Sequence, residues 1–339
     1  MARTLLRSLS FAAALPLFAG AQQPALIVLN KAEATASVIS LADGATLHTL
    51  PVGDGPHEVA VSPDGRWAVV ANYGTGPAPG SSLTVLDLRT RKTERTIDLG
   101  EYRRPHGIAF LPGAMRVLVT SEANQALVIV DVTAGRVERV IKTNQAGTHL
   151  FALSADGARA WTSNIGAGTN SLVDLQKGEV VRTAATGRGP EALDVSPDGR
   201  ELWVGDSQLD RVIVLDANSL DSLATIPAGG RPNRLRFTRD GRWVFESNIR
   251  TNDVYVYDAR ERRLVAKLAF TAAPLRAGAQ PQGAAPEGIL LAPDGNRVWI
   301  ALSGIDRVAE VDIGTRTVLR YFETGRAPDG MAYAALPRP

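Results

Sequence analysis

The chain has 339 residues, 37 Lys and Arg against 35 Asp and Glu, and no cysteine. That composition excludes a disulfide framework, a lipid-anchored thioether and Cys–His catalysis. The near balance of charge gives no overall basic footprint for nucleic acid or a membrane surface.

In chain order, Arg3 and Arg7 come first and lead into an apolar stretch, LSFAAALPLFAG, at 9–20. Ala19, Gly20 and Ala21 supply the small residues of a cleavage site, so 1–21 reads as a cleaved secretory signal. The stretch is shorter than the roughly 20 apolar residues of a membrane span and contains Pro16. No membrane span is expected after cleavage, and the mature protein is expected in the periplasm or outside the cell. Cleavage removes two arginines and no acids, leaving 35 charges of each sign. Nucleic acid is therefore not an expected partner, because backbone binding needs clustered Lys and Arg.

From 24 to 336 the chain repeats. Successive copies open GPHEV, RPHGI, GTHLF, GPEAL, RPNRL and APEGI, and a partial copy, APDGM, stands at the end. The polar residue after Pro or Thr falls at His57, His106, His149, Glu191, Asn233, Glu287 and Asp329, with spacings of 49, 43, 42, 42, 54 and 42. A period in the low forties means four strands per repeat in a propeller. The first strand, as at 58–62, is followed by an Asp-Gly turn such as Asp64-Gly65 or Asp198-Gly199, where glycine supplies a positive φ. A β-branched and aromatic second strand comes next (66–71, 200–204, 297–301). The third ends in aspartate (83–87, 127–131, 212–216, 254–258, 308–312), and a shorter fourth is expected at 95–99 and 223–227. Helical periodicity is absent after the signal.

The ends predict how the ring closes. Three strands at 25–30, 36–41 and 47–52 lack a first strand, and 330–336 is a first strand without the other three. Together they complete a blade. The fold predicted is all-β, one seven-bladed β-propeller with four-stranded antiparallel blades, closed by the C-terminal first strand. The VANYGTG run at 70–76, the SPDG turns and the glycine approach to each proline resemble the YVTN-type, YncE-like exported propellers. These are related to the bacterial lactonase (6-phosphogluconolactonase-like) propellers. The resemblance spans the mature chain and is specific for fold rather than for chemistry.

The first strand of each blade lines the central channel, so the seven polar residues are expected to ring one mouth, each just before its strand. Three of the four histidines share this register on consecutive blades. The fourth, His48, reads as structural in an outer strand. His57, His106 and His149 suit zinc, copper, nickel or iron, for which neutral imidazole is a good donor. Histidine facing a carboxylate also suits acid–base work near neutral pH. The plain alternative is that a solvent-lined channel takes polar residues and the repeat fixes their position. Asn233 and Asp329 complete the ring as candidate ligand-binding groups.

A second polar ring is read at the ends of the second strands: Asn30, Asn72, Ser121, Asn164, Asp206 and Asn248, with Leu302 the exception. Its neighbours Lys31, Tyr73, Glu122 and Ser207 add polar groups. Asn and Asp are also common wherever strands turn. Arg104, Arg188 and Arg231 stand near the mouth with Arg103 and Arg326 and would favour an anionic ligand. Arg66, Arg200 and Arg242 fall on the opposite face and read as plain surface. Insertions at 74–82 and 270–286 lie on the ring side and are candidate covers.

Three functions therefore stand open. The first is a binding propeller holding a small ligand or a divalent or transition metal. The second, implied by the lactonase resemblance, is a hydrolase or lyase for a small anionic substrate. It would use His57, His106, Glu191 or Glu287 as acid or base and Arg104 or Arg188 as substrate holder. The third is a scaffold for a protein partner.

Overall fold

The computed structural model describes residues 22–270 and 283–337. The signal at 1–21 and most of the second insertion lie outside the described residues. Within them the chain forms seven four-stranded antiparallel sheets. The first blade contains Pro56–Val61, Trp67–Gly74, Pro79–Asp87 and Lys92–Asp98. The next five follow in order, opening with Pro105–Phe110, Thr148–Leu153, Pro190–Val195, Pro232–Phe237 and Pro286–Leu291. The seventh joins Pro328–Pro337 to Gln22–Asn30, Thr35–Ser40 and Thr46–Pro51, as the complementary ends predict. Among the described residues, no helix is long and apolar enough to cross a membrane.

Local chemistry explains the repeat. In the first Asp-Gly turn, Gly65 has φ +69°. Ser62 donates its hydroxyl to Asp64 at 2.5 Å, and Asp64 accepts the Arg66 amide at 3.1 Å. Ser154, Ser196 and Thr238 make the same contact in later blades. In six of the seven blades an aspartate closes the third strand and caps the following turn; Ser40 stands there in the seventh. Asp87, for example, accepts the amides of Arg89 and Thr90 at 2.8 and 2.9 Å. These short local bonds set hairpin geometry independently of the core.

Inner strands are apolar on both faces because each blade packs between two others. Val69, Ala71, Leu83 and Val85 of the first blade share one core cluster with Val117, Val119, Val128 and Val130 of the second.

Two details differ from the sequence reading. The fourth strands are not shorter: Lys92–Asp98 has 7 residues against 6 in Pro56–Val61. The ring residues are also not outside their strands. Each is the second residue of its strand and sits in a β-bulge. Pro56 pairs with Asn72 and Glu58 with Ala71, so His57 has no partner of its own. The bulge recurs in all seven blades. In six of the seven blades the strand opens with proline, which contributes no N–H to the ladder, and in the other with Thr148; in each the bulge re-aims a side chain relative to its strand.

Candidate functional site

The bulges bring the seven ring residues to one mouth, where they divide into two groups. The histidines form an arc of touching rings. Ring centroids are 4.8 Å apart for His57 and His106 and 4.0 Å apart for His106 and His149. Tyr73 closes the outer side, 4.6 Å from His57 and 5.4 Å from His106.

Two of the imidazoles are oriented by acceptors. His57 Nδ1 is 2.7 Å from the Gly55 carbonyl, which can only accept, so Nδ1 carries the proton. His149 Nδ1 is 2.7 Å from Glu122 Oε2, and Glu122 also accepts the Tyr73 hydroxyl at 3.0 Å. Burial raises the Glu122 carboxyl, but His149, the Tyr73 hydroxyl and the Arg104 charge together outweigh it and hold the group below the usual range, as an anion. A neutral ring with Nδ1 protonated presents a bare lone pair at Nε2.

His106 is different: its Nδ1 is buried and has no hydrogen-bond partner. Burial pushes His106 well below its ordinary range, with its two histidine neighbours adding to the shift. Burial also lowers His57, against the pull of Asp329. Both rings are therefore neutral at neutral pH. The Tyr73 phenol is driven up to about 12 by burial and by the Glu122 charge, so it remains a donor.

The other group is an ion network, much of it invisible in the repeat. Lys31, just after the Gln22–Asn30 strand, bonds Glu287 and lies 3.2 Å from Asp329. Arg234, 3 % exposed, extends to Glu58 176 positions away, with Nη2 to Oε1 at 2.7 Å. It also approaches Asp329 at 3.7 Å and donates to the Asn233 carbonyl at 3.0 Å. Asn233 in turn donates to Glu191 at 2.6 Å. Burial, then the neighbouring Asp329 charge, drives Glu287 up to about 7. Asp329 is raised by burial but held down more strongly by Lys31 and Arg234. Glu58 and Arg234 occupy the position after the ring residue, where other blades carry Gly107, Leu150, Ala192, Gly288 and Gly330. A charge at that position, which lines the channel, was the signal available in the sequence.

Two of these glycines let neighbouring first strands touch. A Cβ on Gly330 would sit 2.2 Å from the His57 carbonyl, and one on Gly288 would sit 2.1 Å from the Asp329 carbonyl. We expect Gly330→Ala to force the His57 bulge outward and cost about 1–3 kcal/mol, as overpacking does. Gly76→Ala, where nothing lies within 4 Å, is the matched control. Urea unfolding of the two variants checks this, and equal midpoints would refute it.

The second polar ring is brought together as well, but most of its polar atoms bind the fold, the buried Oδ1 atoms of Asn30 and Asn248 alone lacking a hydrogen-bond partner among those of the ring. Asn72 donates to Ser82 and Thr84 at 3.0 Å and accepts the Gly53 amide. Asn164 donates to Thr169 and Ser171 at 3.0 Å. Asp206 accepts the amides of Arg188, Gly189 and Gln208. Asn248 donates to the Glu246 carbonyl at 3.4 Å. The expected arginine cluster does not converge: the Arg188 and Arg231 side chains are exposed. Arg104 alone joins the site, with its guanidinium 4.9 Å over Tyr73 and bonded to the carbonyls of Thr75 and Gly76. Those carbonyls belong to the first insertion, a hairpin in which Gly74 pairs with Pro79. His48 lies in the outer strand Thr46–Pro51, 3.3 Å from Arg91.

Five carboxylates (Glu58, Glu122, Glu191, Glu287, Asp329) thus stand in these two groups with three cations (Lys31, Arg104, Arg234). That balance favours a cation over the anion expected from the arginines. Among the described residues, no three His, Cys, Asp or Glu side chains are already in a metal-ligating set. Placing three imidazole nitrogens on one ion requires these rings to turn from their tilted contacts, at interplanar angles of 59° and 45°.

A family model described as YNCE-like beta-propeller matches residues 114–233, from the second blade to the start of the fifth. The fold is also similar to a chain of the Kuenenia stuttgartiensis hydrazine synthase, with TM-score 0.69 and 17% identity over 88% of this chain and 92% of that one. At that identity the likeness is one of fold alone. No curated protein sequence matches the chain.

Proposed function

We propose that this YncE-like seven-bladed propeller is an exported binding protein that holds a transition-metal cation on the imidazoles of His57, His106 and His149. One observation carries the reading: His57 and His149 each have Nδ1 committed to an acceptor, the Gly55 carbonyl and the Glu122 carboxylate. Metal-bound histidines are oriented in this way, with the second ring nitrogen donating to a carbonyl or carboxylate. The partnerless Nδ1 of buried His106 and the excess of nearby carboxylates point the same way. Imidazole suits zinc, copper, nickel and iron, and among the divalent ions the tightest binding is expected for copper. The apolar stretch at 9–20 supports export to the periplasm or beyond.

The test is a thermal-unfolding titration with Zn²⁺, Cu²⁺, Ni²⁺ and Fe²⁺. An ion at 100 times its dissociation constant stabilises by about 2.7 kcal/mol, a rise of about 4 °C for a chain of this size. The His57→Ala/His106→Ala/His149→Ala variant should lose the rise. Glu122→Gln should weaken binding by about 10- to 100-fold, as loss of an orienting partner does. The sign of the pH dependence follows from the lowered His57 and His106 groups. At these two rings protons compete with metal only below their depressed pKa values, so their share of the affinity should persist as pH falls through 6.5, the ordinary histidine value. No rise with any of the four ions, or the same rise in the triple variant, would sink the proposal.

A further inference from the structure

The fifth blade buries an acid where the others carry no charge. Glu246, in Trp243–Asn248, is fully buried. The other blades have Val28, Val70, Val119, Thr162, Val204 and Ile300 at that position. Tyr257, on the adjoining strand Asp253–Asp258, is fully buried too and stands where the first and fourth blades carry Leu86 and Leu215. These two exceptions meet, with the Tyr257 hydroxyl 2.5 Å from Glu246 Oε2. The same hydroxyl is 3.3 Å from the Pro227 carbonyl. Glu246 Oε1 has no hydrogen-bond partner, so neither oxygen of the carboxyl is bonded to a cation. Tyr255 and Asp253 share the strand of Tyr257, and the Asp253 charge opposes a second anion beside it. Lys267, on the outer strand, lies over Tyr255 at 4.4 Å from the ring centroid. From the first strand Leu235 faces Glu246, and the fourth blade packs Val212, Val214 and Ile226 in one cluster with Tyr257.

A phenol has one proton to donate. An ionised Glu246 competes with the Pro227 carbonyl for it, and one of the two contacts goes unmade. A protonated Glu246 donates to the Tyr257 oxygen, which then donates to Pro227, and both contacts are satisfied. A carboxylate bare at one oxygen in an apolar core is also far costlier than the neutral acid. Burial accordingly pushes Glu246 up to about 8. Pro227 ends Ser222–Pro227, the outer strand of the fourth blade. The crossover 228–231 then leads into Pro232–Phe237, which brings Asn233 and Arg234 to their partners Glu191 and Glu58. We propose that Glu246 holds a proton in the folded protein and that this proton latches the crossover between the fourth and fifth blades, so that its loss in alkaline medium frees Pro227 and loosens Asn233 and Arg234. The device lies outside the histidine arc and does not depend on a metal there.

Urea unfolding across this pH range compares the wild type with Glu246→Gln, whose amide can donate to Tyr257 as the protonated acid does. The sign follows from the raised group. Between the ordinary glutamate value of 4.5 and about 8, the unfolded chain has released the proton and the folded chain keeps it. The wild-type folding constant, relative to that of the variant, should therefore fall about tenfold per pH unit over that range and level off above it. The backbone amide ¹⁵N shifts of Ala228 and Asn233 report the crossover. They should titrate near pH 8 in the wild type and stay still in Glu246→Gln. The double variant Glu246→Val/Tyr257→Leu copies the apolar pair of the first blade, Val70 and Leu86, and should also lack the fall. It supplies the comparison should the Gln variant not fold. Parallel stability profiles in wild type and variants, or Ala228 and Asn233 amides that ignore the titration, overturn the proposal.

Discussion

Arg234→Met is expected to destabilise the protein by about 3–5 kcal/mol, the usual cost of leaving a buried charge without its partner. Arg234 is 3 % exposed and its side chain is bonded to Glu58 and close to Asp329. Methionine fills much of the same volume, so the loss isolates charge from packing. The carboxylates left behind, Glu58 and Asp329, stand on neighbouring first strands with Lys31 as the remaining cation near Asp329. Adding Glu58→Gln to the Arg234→Met variant should recover part of the loss, because it removes the carboxylate that Arg234 neutralised. Guanidinium unfolding of the single and double variants measures the coupling. Additive losses would show that Arg234 acts through packing alone.

Removal of 328–339 is expected to abolish cooperative unfolding at room temperature. The strand Pro328–Pro337 contributes Met331, Ala332, Ala334 and Leu336 to the core, all buried. It also pairs with Gln22–Asn30 from Gln22↔Pro337 to Asn30↔Pro328. Burying the two large side chains stabilises by about 1.5–3 kcal/mol each, and the ladder bonds add to this. That is a large part of the roughly 5–15 kcal/mol by which domains are stable. Deletion also exposes the apolar edge of Ala25, Leu26, Ile27 and Val28, a template for association. A synthetic peptide of 328–337 should restore the unfolding transition by strand addition, whereas a scrambled peptide should not. A truncated protein that unfolds as sharply as the full chain would refute this role.

The blades, the closure and the ring register were legible because each is written locally. A Pro, an Asp-Gly turn and a strand-ending Asp recur in fixed order, and their bonds join residues two or three positions apart, such as Ser62 to Asp64 and Thr90 to Asp87. The histidine arc followed from the same register. Other features were not legible, because they depend on pairing at long range. Nothing near Arg234 in the chain shows that its partner is Glu58, 176 positions away. The Asn and Asp of the second ring look alike whether they face a ligand or brace a turn, and only their partners, such as Ser82 for Asn72, show the bracing. The arginines failed for a related reason. Their backbones reach the mouth, but Arg188 and Arg231 turn outward while Arg104 rests on Tyr73. Arg66 and Arg242 follow identical Asp-Gly pairs and read alike as plain surface, yet Arg66 pairs with Asp87, on the third strand of its blade.

The seventh blade also constrains the order of events in biosynthesis. Gln22–Asn30 leaves the ribosome before the other described strands, and its partner Pro328–Pro337 after them. Chains emerge at about 5–20 residues per second, so the earliest strand waits tens of seconds with one edge unsatisfied. The nascent protein is thus held short of its final topology until that strand has emerged, a delay that leaves time for a chaperone to engage the open edge.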